Sequence, residues 1–254
     1  MQIISYNLNG IRAAIKNGLI EWLATHNFDI LCFQEVKATP DQIDLTLFEN
    51  LGYKLVGWAA AEKKGYSGVA IFSKIPAQNV KVGCEIDIYD CEGRVIRADF
   101  GDLTIVNTYF PSGTSGETRQ DLKMKFLVDY HIWINKLRKE RPNLIVTGDY
   151  NIAHQEIDLH DPKGNKNTTG FLPQERAWLT QWFEGGFTDA FRFKNPDLIQ
   201  YSWWSYRAGA RANNKGWRID YQSVSNNMNT RIMACKQLPD VVHSDHCPVW
   251  LDIQ

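Results

Sequence analysis

The sequence of 254 residues lacks several features that each mark a class of protein. It has no signal peptide and no apolar run long enough to span a membrane, so we expect no membrane association. Its five cysteines form no CxxC pair and no metal-ligand spacing with histidine, which predicts reduced thiols in a cytoplasmic protein. The net charge of −1 argues against a protein that coats nucleic acid nonspecifically, and it leaves a local basic face open.

No linker rich in Pro, Ser or Gly divides the chain, so we predict a single domain over residues 1–254. Strands are predicted at 2–6, 29–33, 53–58, 68–73, 79–83, 94–100 and 103–109, from 144, and at 218–224, 231–236 and 247–253. Helices are predicted at 11–23, from Thr39-Pro40, at 117–139 and at 173–183, with polar loops at 152–172 and 187–217. This order favours two packed, largely antiparallel sheets with helices outside. We interpret the apolar faces of the helices at 117–139 and 173–183 as plain core packing.

Polar side chains follow several of these strands. The strand from Leu144 ends at Gly148 and presents Asp149 and Asn151. Asn7, Asn9, Glu35 and Tyr109 follow other strands, Asp220 lies inside an aromatic strand, and Asp245 and His246 immediately precede the last strand. Each residue alone is explained as a turn former, because Asn and Asp are common in turns. Glu35 differs, since it follows the run Ile-Leu-Cys-Phe-Gln, and a buried carboxylate needs a partner, a proton or a metal.

Together these residues form a set of oxygen donors joined by one histidine. Carboxylates and amides without cysteine suit Mg²⁺, with Mn²⁺ as an alternative, better than Zn²⁺. A histidine beside aspartates favours an imidazolium that a carboxylate orients. The combination predicts metal-assisted attack of water on a phosphodiester, in which an aspartate activates water and the imidazolium stabilises the developing charge.

Nine motifs that run in order from residue 5 to residue 248 resemble the exonuclease III family of abasic-site (AP) endonucleases, within the endonuclease/exonuclease/phosphatase superfamily. They are SYNLNGIRA from Ser5, FQEVK from Phe33, GYSGV from Gly65, EGRV from Glu92, YFP from Tyr109, GDYNIAH from Gly148, GFLPQER from Gly170, GWRIDY from Gly216 and SDHCP from Ser244. The resemblance covers essentially the whole chain. It implies an α/β fold that is a four-layer sandwich, in which two mainly antiparallel β-sheets pack face to face with helices on the outside.

The resemblance also implies roles for the matching residues. The metal site would use Glu35 as the main ligand, with Asn7, Asn9 and Asp245. The catalytic residues would be Tyr109 on the phosphate, Asp149 and Asn151 on the water, and His246 oriented by Asp220. Contacts to the DNA backbone would come from Arg12, Tyr66, Arg94 and Asn165, with Arg207 in a loop that penetrates DNA in some members. The chain departs from some relatives at Asn9, Thr168, Arg207 and Ser112–Ser115.

The stretch 192–218 carries most of the local evidence for DNA as the partner. Six basic residues stand there against Asp197 alone, and aromatic residues that include Trp203, Trp204, Tyr206 and Trp217 are interleaved with them. The basic residues are Arg192, Lys194, Arg207, Arg211, Lys215 and Arg218. This pattern is typical of phosphate contact combined with stacking, and a solvated loop with core aromatics is the alternative. The resemblance implies that Trp203, Trp217 and Ile219 form an apolar pocket for a flipped-out deoxyribose without a base.

Three functions follow from these patterns. The first is an Mg²⁺-dependent AP endonuclease that cuts double-stranded DNA 5′ to an abasic site as a monomer, with 3′-phosphodiesterase activity on blocked 3′ ends and 3′→5′ exonuclease activity. The second keeps the chemistry and changes the substrate to a phosphoinositide, a sphingolipid or an RNA tail, which the GWRID motif and the basic aromatic loop disfavour. The third is an inactive DNA-binding module, which the presence of all the metal and base residues disfavours.

Overall fold

The computed structural model describes residues 1–254 as fourteen strands and seven helices. The strands are β1 (Gln2–Asn7), β2 (Ile30–Gln34), β3 (Lys54–Ala59), β4 (Val69–Ser73), β5 (Asn79–Val82), β6 (Val95–Phe100), β7 (Leu103–Tyr109), β8 (Leu144–Asp149), β9 (Phe187–Asp189), β10 (Trp203–Trp204), β11 (Gly216–Trp217), β12 (Asp220–Ser225), β13 (Ile232–Gln237) and β14 (Val249–Ile253). The helices are α1 (Ile11–Lys16), α2 (Leu19–Ala24), α3 (Thr46–Glu49), α4 (Asp87–Asp90), α5 (Glu117–Glu140), α6 (Pro173–Glu184) and α7 (Ala190–Lys194). None of the helices is long and apolar enough to cross a membrane.

Two six-stranded sheets hold most of the chain. The first has the order β13-β14-β1-β2-β4-β3 and the second has the order β5-β6-β7-β8-β12-β9. Each sheet contains one parallel pair, β1 with β2 and β7 with β8, and its other neighbours are antiparallel. The chain moves to the second sheet at β5 and returns to the first at β13, so both halves of the sequence contribute to both sheets.

The sheets pack face to face and helices cover their outer faces. A cluster of 22 buried residues lies between the sheets and includes Ile3 and Ile105. Ile4, the neighbour of Ile3, packs on the other side with α1 and α2, as the period of two along a strand requires. Residues of α5 and α6 cover the second sheet through Phe126 and Trp178. The predicted four-layer sandwich is therefore confirmed.

One polar contact crosses the interface between the sheets close to the strand ends. Asn107 of β7 donates through Nδ2 to the backbone oxygens of Phe33 at 3.0 Å and Ala70 at 2.9 Å. Its Oδ1 accepts from Gln34 Nε2 at 2.7 Å. A buried amide that meets all its hydrogen-bond partners fixes one alignment of the two sheets, whereas apolar packing tolerates several. Sequence patterns gave no indication of this contact.

The sequence placed the long elements correctly and missed several short ones. The helix predicted at 11–23 divides into α1 and α2, because Gly18 takes a left-handed backbone conformation with φ 98°. The predicted helix start at Thr39-Pro40 is a single 3₁₀ turn over Pro40–Gln42. The loop predicted at 187–217 contains β9, α7, β10 and β11, which are too short to give a periodic signal.

The plain core packing predicted for the two long helices is wrong at two positions. Lys123 of α5 and Glu175 of α6 lie fully buried on those faces as an ion pair of 2.6 Å. The apolar spacing of the helices correctly indicated which sides face inward. It did not indicate that charged side chains also lie there.

Candidate active site

The strand register brings three polar side chains into one row at the end of the second sheet. Tyr109 of β7 is the parallel partner of Asp149 of β8, and Asp149 is the antiparallel partner of Asp220 of β12. Gly148 allows this close packing, since a Cβ at that position would lie 1.8 Å from the backbone oxygen of Thr108. The ends of β1 and β2 in the first sheet face this row and bring Asn7 and Glu35 to it.

Asp149 is almost fully buried and is held by several donors. Its Oδ1 accepts from the backbone N–H of Asn151 at 2.8 Å, and its Oδ2 accepts from Asn7 Nδ2 at 2.9 Å. The amide of Asn151 also reaches Oδ2 at 3.3 Å. Burial raises the pKa of Asp149 well above its ordinary value, and the carboxylates of Asp220 and Glu35 add to the increase. Such a group can accept a proton near neutral pH.

His246 lies beside Asp149 and is oriented by Asp220. Its Nδ1 is 2.9 Å from Asp220 Oδ2, and its Nε2 is 3.9 Å from Asp149 Oδ2. Ser202, which the sequence did not indicate, donates to the same Asp220 oxygen at 2.6 Å. Burial alone would lower the pKa of His246, but the carboxylates of Asp220 and Asp149 raise it to about 10. The imidazole is therefore positively charged at neutral pH.

Glu35 reaches the same point from the first sheet. Its side chain is 17% exposed, so it is less buried than the sequence suggested. Its backbone is left-handed, with φ 47°, and the same conformation occurs at Asn9 with φ 47° and Asn151 with φ 54°. Such a conformation costs a non-glycine residue on the order of 1 kcal/mol and persists only where the surroundings impose it. The strain is concentrated at the site, since these three residues all border it.

The side chains of Glu35, Asp149 and His246, which we call the polar floor, offer ligand atoms within 4.8 Å of one another. Two carboxylates with a neighbouring amide and no cysteine fit a hard divalent cation such as Mg²⁺ or Mn²⁺. The family-implied ligand Asn7 takes a different position. Its Oδ1 accepts from the backbone N–H of Asn9, so it turns its NH₂ group towards Glu35 at 2.8 Å and Asp149 at 2.9 Å. In this arrangement Asn7 bridges the two carboxylates as a donor.

Asn9 and Asp245 lie next to the polar floor and are hydrogen-bonded to each other. Asn9 Nδ2 donates to Asp245 Oδ1 at 3.0 Å, and Trp203 Nε1 donates to Asp245 Oδ2 at 3.0 Å. Lys37, which the sequence did not single out, donates to Asn9 Oδ1 and lies 2.8 Å from Glu35 Oε2. The Lys37 ammonium thus already balances one carboxylate oxygen of the floor.

Three apolar residues line the same cleft beside the polar floor, and we call Trp203, Trp217 and Ile219 the aromatic wall. Trp203 of β10 and Trp217 of β11 are directly paired, and their rings meet edge to face with centroids 6.4 Å apart. The wall packs on the small cluster that includes Phe171. A backbone bridge between Trp203 and His246 joins the wall to the floor. The predicted grouping of these three apolar residues is thus present in the fold.

Floor and wall enclose a cleft of about 410 Å³. It is lined by eleven of the predicted site residues: Asn9, Glu35, Tyr66, Tyr109, Asp149, Asn151, Trp203, Trp217, Ile219, Asp245 and His246. It is also lined by residues to which the sequence gave no role in the site: Ser112, Thr114, Ser115, Arg119, Thr168, Thr169 and Gly170. A cleft of this volume is large enough to hold a sugar–phosphate unit.

Comparison with known proteins agrees with this geometry. The sequence profile of the Endonuclease/Exonuclease/phosphatase family matches residues 4–246. The chain belongs to this family. It is 44% identical to an exodeoxyribonuclease of Bacillus subtilis over 100% of this chain and 99% of that protein. It is 40% identical to the DNA repair nuclease APEX1 of Danio rerio over 99% of this chain and 81% of that protein.

Solved structures lead to the same branch of the family. An AP endonuclease from Archaeoglobus fulgidus superposes with a TM-score of 0.90 at 30% identity, over 100% of this chain and 99% of that one. A 3′-5′ exonuclease from Neisseria meningitidis superposes with a TM-score of 0.92 at 26% identity, over the full length of both chains. The resemblance to the exonuclease III family of AP endonucleases is confirmed, and the chain is a nuclease-type enzyme of a divalent-metal-dependent family.

The family-implied backbone contacts occupy different environments. Arg94 is 1% exposed, so it cannot meet a phosphate directly. Instead it pairs with Glu92 at 2.7 Å, and donates to the backbone oxygen of Tyr109 at 2.9 Å and to the hydroxyl of Tyr66 at 3.0 Å. Arg119 donates to the same hydroxyl at 2.9 Å and lines the cleft. Arg119 is therefore the cation that this network presents to the cleft.

Arg12, Asn165 and Arg207 do not line the cleft. Arg12 and Arg207 are exposed, which leaves them free for a partner outside it. Asn165 Nδ2 donates to the backbone oxygen of Asp161 at 2.9 Å, so it stabilises its own loop. Their predicted contacts with DNA stay predictions.

The interpretation of 192–218 as a basic surface is wrong for half of its cations. Arg218 is buried and pairs with Asp158 at 2.8 Å and Asp189 at 2.7 Å. Arg192 pairs with the same Asp158 oxygen at 2.5 Å. Arg211 donates to four backbone oxygens, of Pro239, Val241, Ser244 and His246. These three arginines hold the loops in place, because their guanidinium groups are already engaged with carboxylates or backbone oxygens of the protein.

Proposed function

We propose that this chain is an Mg²⁺-dependent AP endonuclease of DNA base-excision repair. It hydrolyses the phosphodiester 5′ to an abasic site in double-stranded DNA and leaves a 3′-hydroxyl and a 5′-deoxyribose phosphate. It also removes blocked 3′ ends as a 3′-phosphodiesterase and acts as a 3′→5′ exodeoxyribonuclease. It works in the cytoplasm as a monomer, and residues 1–254 form one catalytic domain. Mn²⁺ supports the reaction as an alternative to Mg²⁺.

The observation that carries this proposal is that the aromatic wall and the polar floor line one cleft and are joined by a backbone bridge between Trp203 and His246. A phosphodiesterase needs the floor alone. A wall of two tryptophans and an isoleucine beside that floor fits the apolar face of a deoxyribose that has lost its base. Such a sugar is also cheap to extrude from the duplex, because its pairing and stacking are already lost. The names of the relatives from Danio rerio and Archaeoglobus fulgidus are in line with this substrate.

The floor assigns the steps of hydrolysis to particular atoms. Asp149 Oδ2 accepts a proton from the attacking water, and Asn151 holds Asp149 through its backbone N–H and its side-chain amide. The water oxygen bonds to phosphorus as the bond from phosphorus to the 3′ oxygen breaks, and the departing 3′ oxygen takes a proton from solvent water to become the 3′-hydroxyl. The charged His246 donates from Nε2 to a phosphate oxygen, since Nε2 lies 3.9 Å from Asp149 Oδ2 and is not hydrogen-bonded to it. Glu35 and Asp149 would hold the divalent cation, whose charge would neutralise the phosphate.

Tyr109 and Arg119 complete the contacts with the phosphate. Burial raises the pKa of Tyr109 well above its ordinary value, and the carboxylates of Glu35 and Asp149 raise it further. The phenol therefore stays protonated and acts as a hydrogen-bond donor. Arg119 adds a positive charge at the rim of the cleft, where Glu92 at 2.8 Å fixes its direction.

The test is a nicking assay on one duplex that contains a tetrahydrofuran abasic analogue. We expect a cut 5′ to the analogue with Mg²⁺ or Mn²⁺, no cut with EDTA, and slower shortening of a duplex with a recessed 3′ end. A fully paired blunt duplex is the matched control. Efficient nicking in EDTA would contradict the mechanism. Release of phosphate from inositol phosphates, without a cut at the analogue, would contradict the substrate.

A further inference from the structure

A charged pair lies beneath the cleft, on helix faces that are otherwise apolar. Lys123 of α5 and Glu175 of α6 are 1% and 0% exposed, and Lys123 Nζ is 2.6 Å from Glu175 Oε1. The neighbours of Lys123 along α5 include Phe126 and Leu127, which belong to the core. Two charges are rarely buried in this way, because their desolvation often offsets their mutual attraction. The pair therefore calls for an explanation beyond the stability of the fold.

Lys123 reaches the catalytic segment directly. Its Nζ donates to the backbone oxygen of Asn151 at 2.9 Å. Asn151 is one of the left-handed residues of the site, and its N–H and side-chain amide both hold Asp149. A donor on the carbonyl of Asn151 fixes the peptide plane that follows it. The orientation of Asn151, and through it that of Asp149, thus depends on Lys123.

Glu175, the partner of Lys123 in the ion pair, holds a loop that lines the cleft. Its Oε2 accepts from the backbone N–H of Gly170 at 2.6 Å and of Leu172 at 3.0 Å. Thr169 donates to Glu175 Oε1 at 3.3 Å. Thr169 and Gly170 line the cleft, and a Cβ on Gly170 would lie 3.3 Å from the ring of Trp217. One carboxylate therefore ties the lining loop to the ammonium that holds Asn151.

We propose that the Lys123–Glu175 pair is a positioning device, which sets the distance between the water-activating Asp149–Asn151 segment and the cleft loop over residues 168–170. The inference rests on the proposed function, since it assigns the pair to that reaction. An apolar pair of equal volume would pack the helices as well. It would leave the carbonyl of Asn151 and the N–H of Gly170 without their present partners.

The test uses three variants of the full chain. Lys123→Met removes the ammonium and leaves Glu175 charged and buried, so its melting temperature should fall by about 10 °C. Glu175→Gln keeps both side chains and removes one charge. Lys123→Met/Glu175→Gln buries no charge, and its amide oxygen still accepts from Gly170 and Leu172, so most of the melting temperature should return.

The double variant separates positioning from packing. We expect its kcat on the abasic duplex to fall by about 10- to 100-fold while KM changes less than about 2-fold, because a small misplacement of a catalytic group affects the chemical step. The side-chain amide resonance of Asn151 should also shift in the protein without DNA. A double variant with normal stability, normal kcat and an unmoved resonance would overturn the proposal. If the variants of Lys123 do not fold, Glu175→Gln is the deciding variant. We expect its kcat to fall by about 5-fold, and an unchanged kcat would contradict the proposal.

Arg97→Met is the matched control. Arg97 and Asp99 form another little-exposed ion pair, at 2.8 Å, on β6 away from the cleft. Its loss should lower the melting temperature without changing kcat. Failure of the wild type on the abasic duplex would reject the proposed function, and the Asn151 resonance would still test the pair. Cutting by the wild type and the double variant at equal rates would reject only the positioning role.

Discussion

The polar floor and the aromatic wall share one cleft and are built in different ways. The floor consists of Asp149 at the end of β8, Glu35 directly after β2, and His246, which Asp220 of β12 orients, so the sheet register fixes the groups that build it. The wall consists of one residue from each of two two-residue strands, together with Ile219, which directly precedes β12, in a segment rich in loops. An ion pair between Asp158 and Arg218 anchors this segment from behind.

The difference teaches how the two tasks of the site are separated. Chemistry needs atoms that are fixed within a fraction of an ångström, and central strands supply them. Substrate choice needs a surface of suitable shape, and loops on a rigid scaffold can supply it. We therefore expect changes in the floor to lower the rate on every substrate. Changes in the wall should lower the preference for one substrate.

Asp149→Asn should have the largest effect, because it removes the proton acceptor and keeps the shape of the floor. We expect kcat on the abasic duplex to fall by about 10³-fold. Circular dichroism should confirm an unchanged fold, and Asp197→Asn, at an exposed carboxylate, is the control. A fall of less than about 10-fold would mean that the floor does not activate water through Asp149.

Asp220→Asn should have the next largest effect and should change the pH dependence. Asp220 raises the pKa of His246, so in the wild type the imidazole stays charged up to about pH 10. Without that carboxylate the proton is lost at lower pH. We expect kcat to fall by about 10²-fold at pH 6 and by more at pH 9. A parallel pH profile for both proteins would contradict this role of the floor.

Trp217→Ala tests the wall, since it enlarges the pocket without touching the floor. We expect the ratio of the rates on abasic and intact duplex to fall by about 10-fold while kcat on the abasic duplex stays within about 3-fold. Trp133→Ala, on the outer helix α5, makes the same change in volume away from the cleft and should leave the ratio unchanged. An equal loss on both substrates would remove the distinction between floor and wall.

The anchor of the wall should weaken in acid, which gives the smallest effect. Burial would raise the pKa of Asp158, but Arg218 and Arg192 lower it to about 2. In the unfolded chain the pKa of an aspartate is about 4. A carboxylate whose pKa is lower in the folded protein stabilises the fold above that pH, and this contribution is lost as the pH falls towards 2. We expect a loss of about 2 kcal/mol in the free energy of unfolding by urea between pH 4 and pH 2. Asp158→Asn should lack this part of the pH dependence. If the free energy of unfolding depends on pH in the same way for the wild type and the variant, Asp158 does not contribute it.

The sequence was most informative where a residue continued a regular pattern. The strand from Leu144 to Asp149 was predicted because three apolar residues run into Gly148, and the glycine is required there by contact with Thr108. Glu35 was selected because it follows a buried strand. In both cases the local pattern predicts where the strand ends, and the polar residue at that end is thereby predicted to lie at the edge of the sheet.

Reasoning from the sequence failed where the role of a residue depends on a partner far along the chain. Arg218 was interpreted as a surface cation, and it is neutralised by Asp158, sixty residues away. Lys123 and Lys37 gave no signal, because neither helix periodicity nor strand alternation says which distant carboxylate an ammonium will meet. Ser202 and Arg119 were missed for the same reason.

The sequence by itself determined the order of the long strands and helices, the ends at which polar residues stand, and the family to which the chain belongs. These are properties of neighbouring residues, so local periodicity and motifs are sufficient to specify them. Only the tertiary structure decided which charges are buried, which amide faces which carboxylate, and which loops line the cleft. These depend on contacts between segments far apart in the chain, and such contacts exist only once the two sheets have packed.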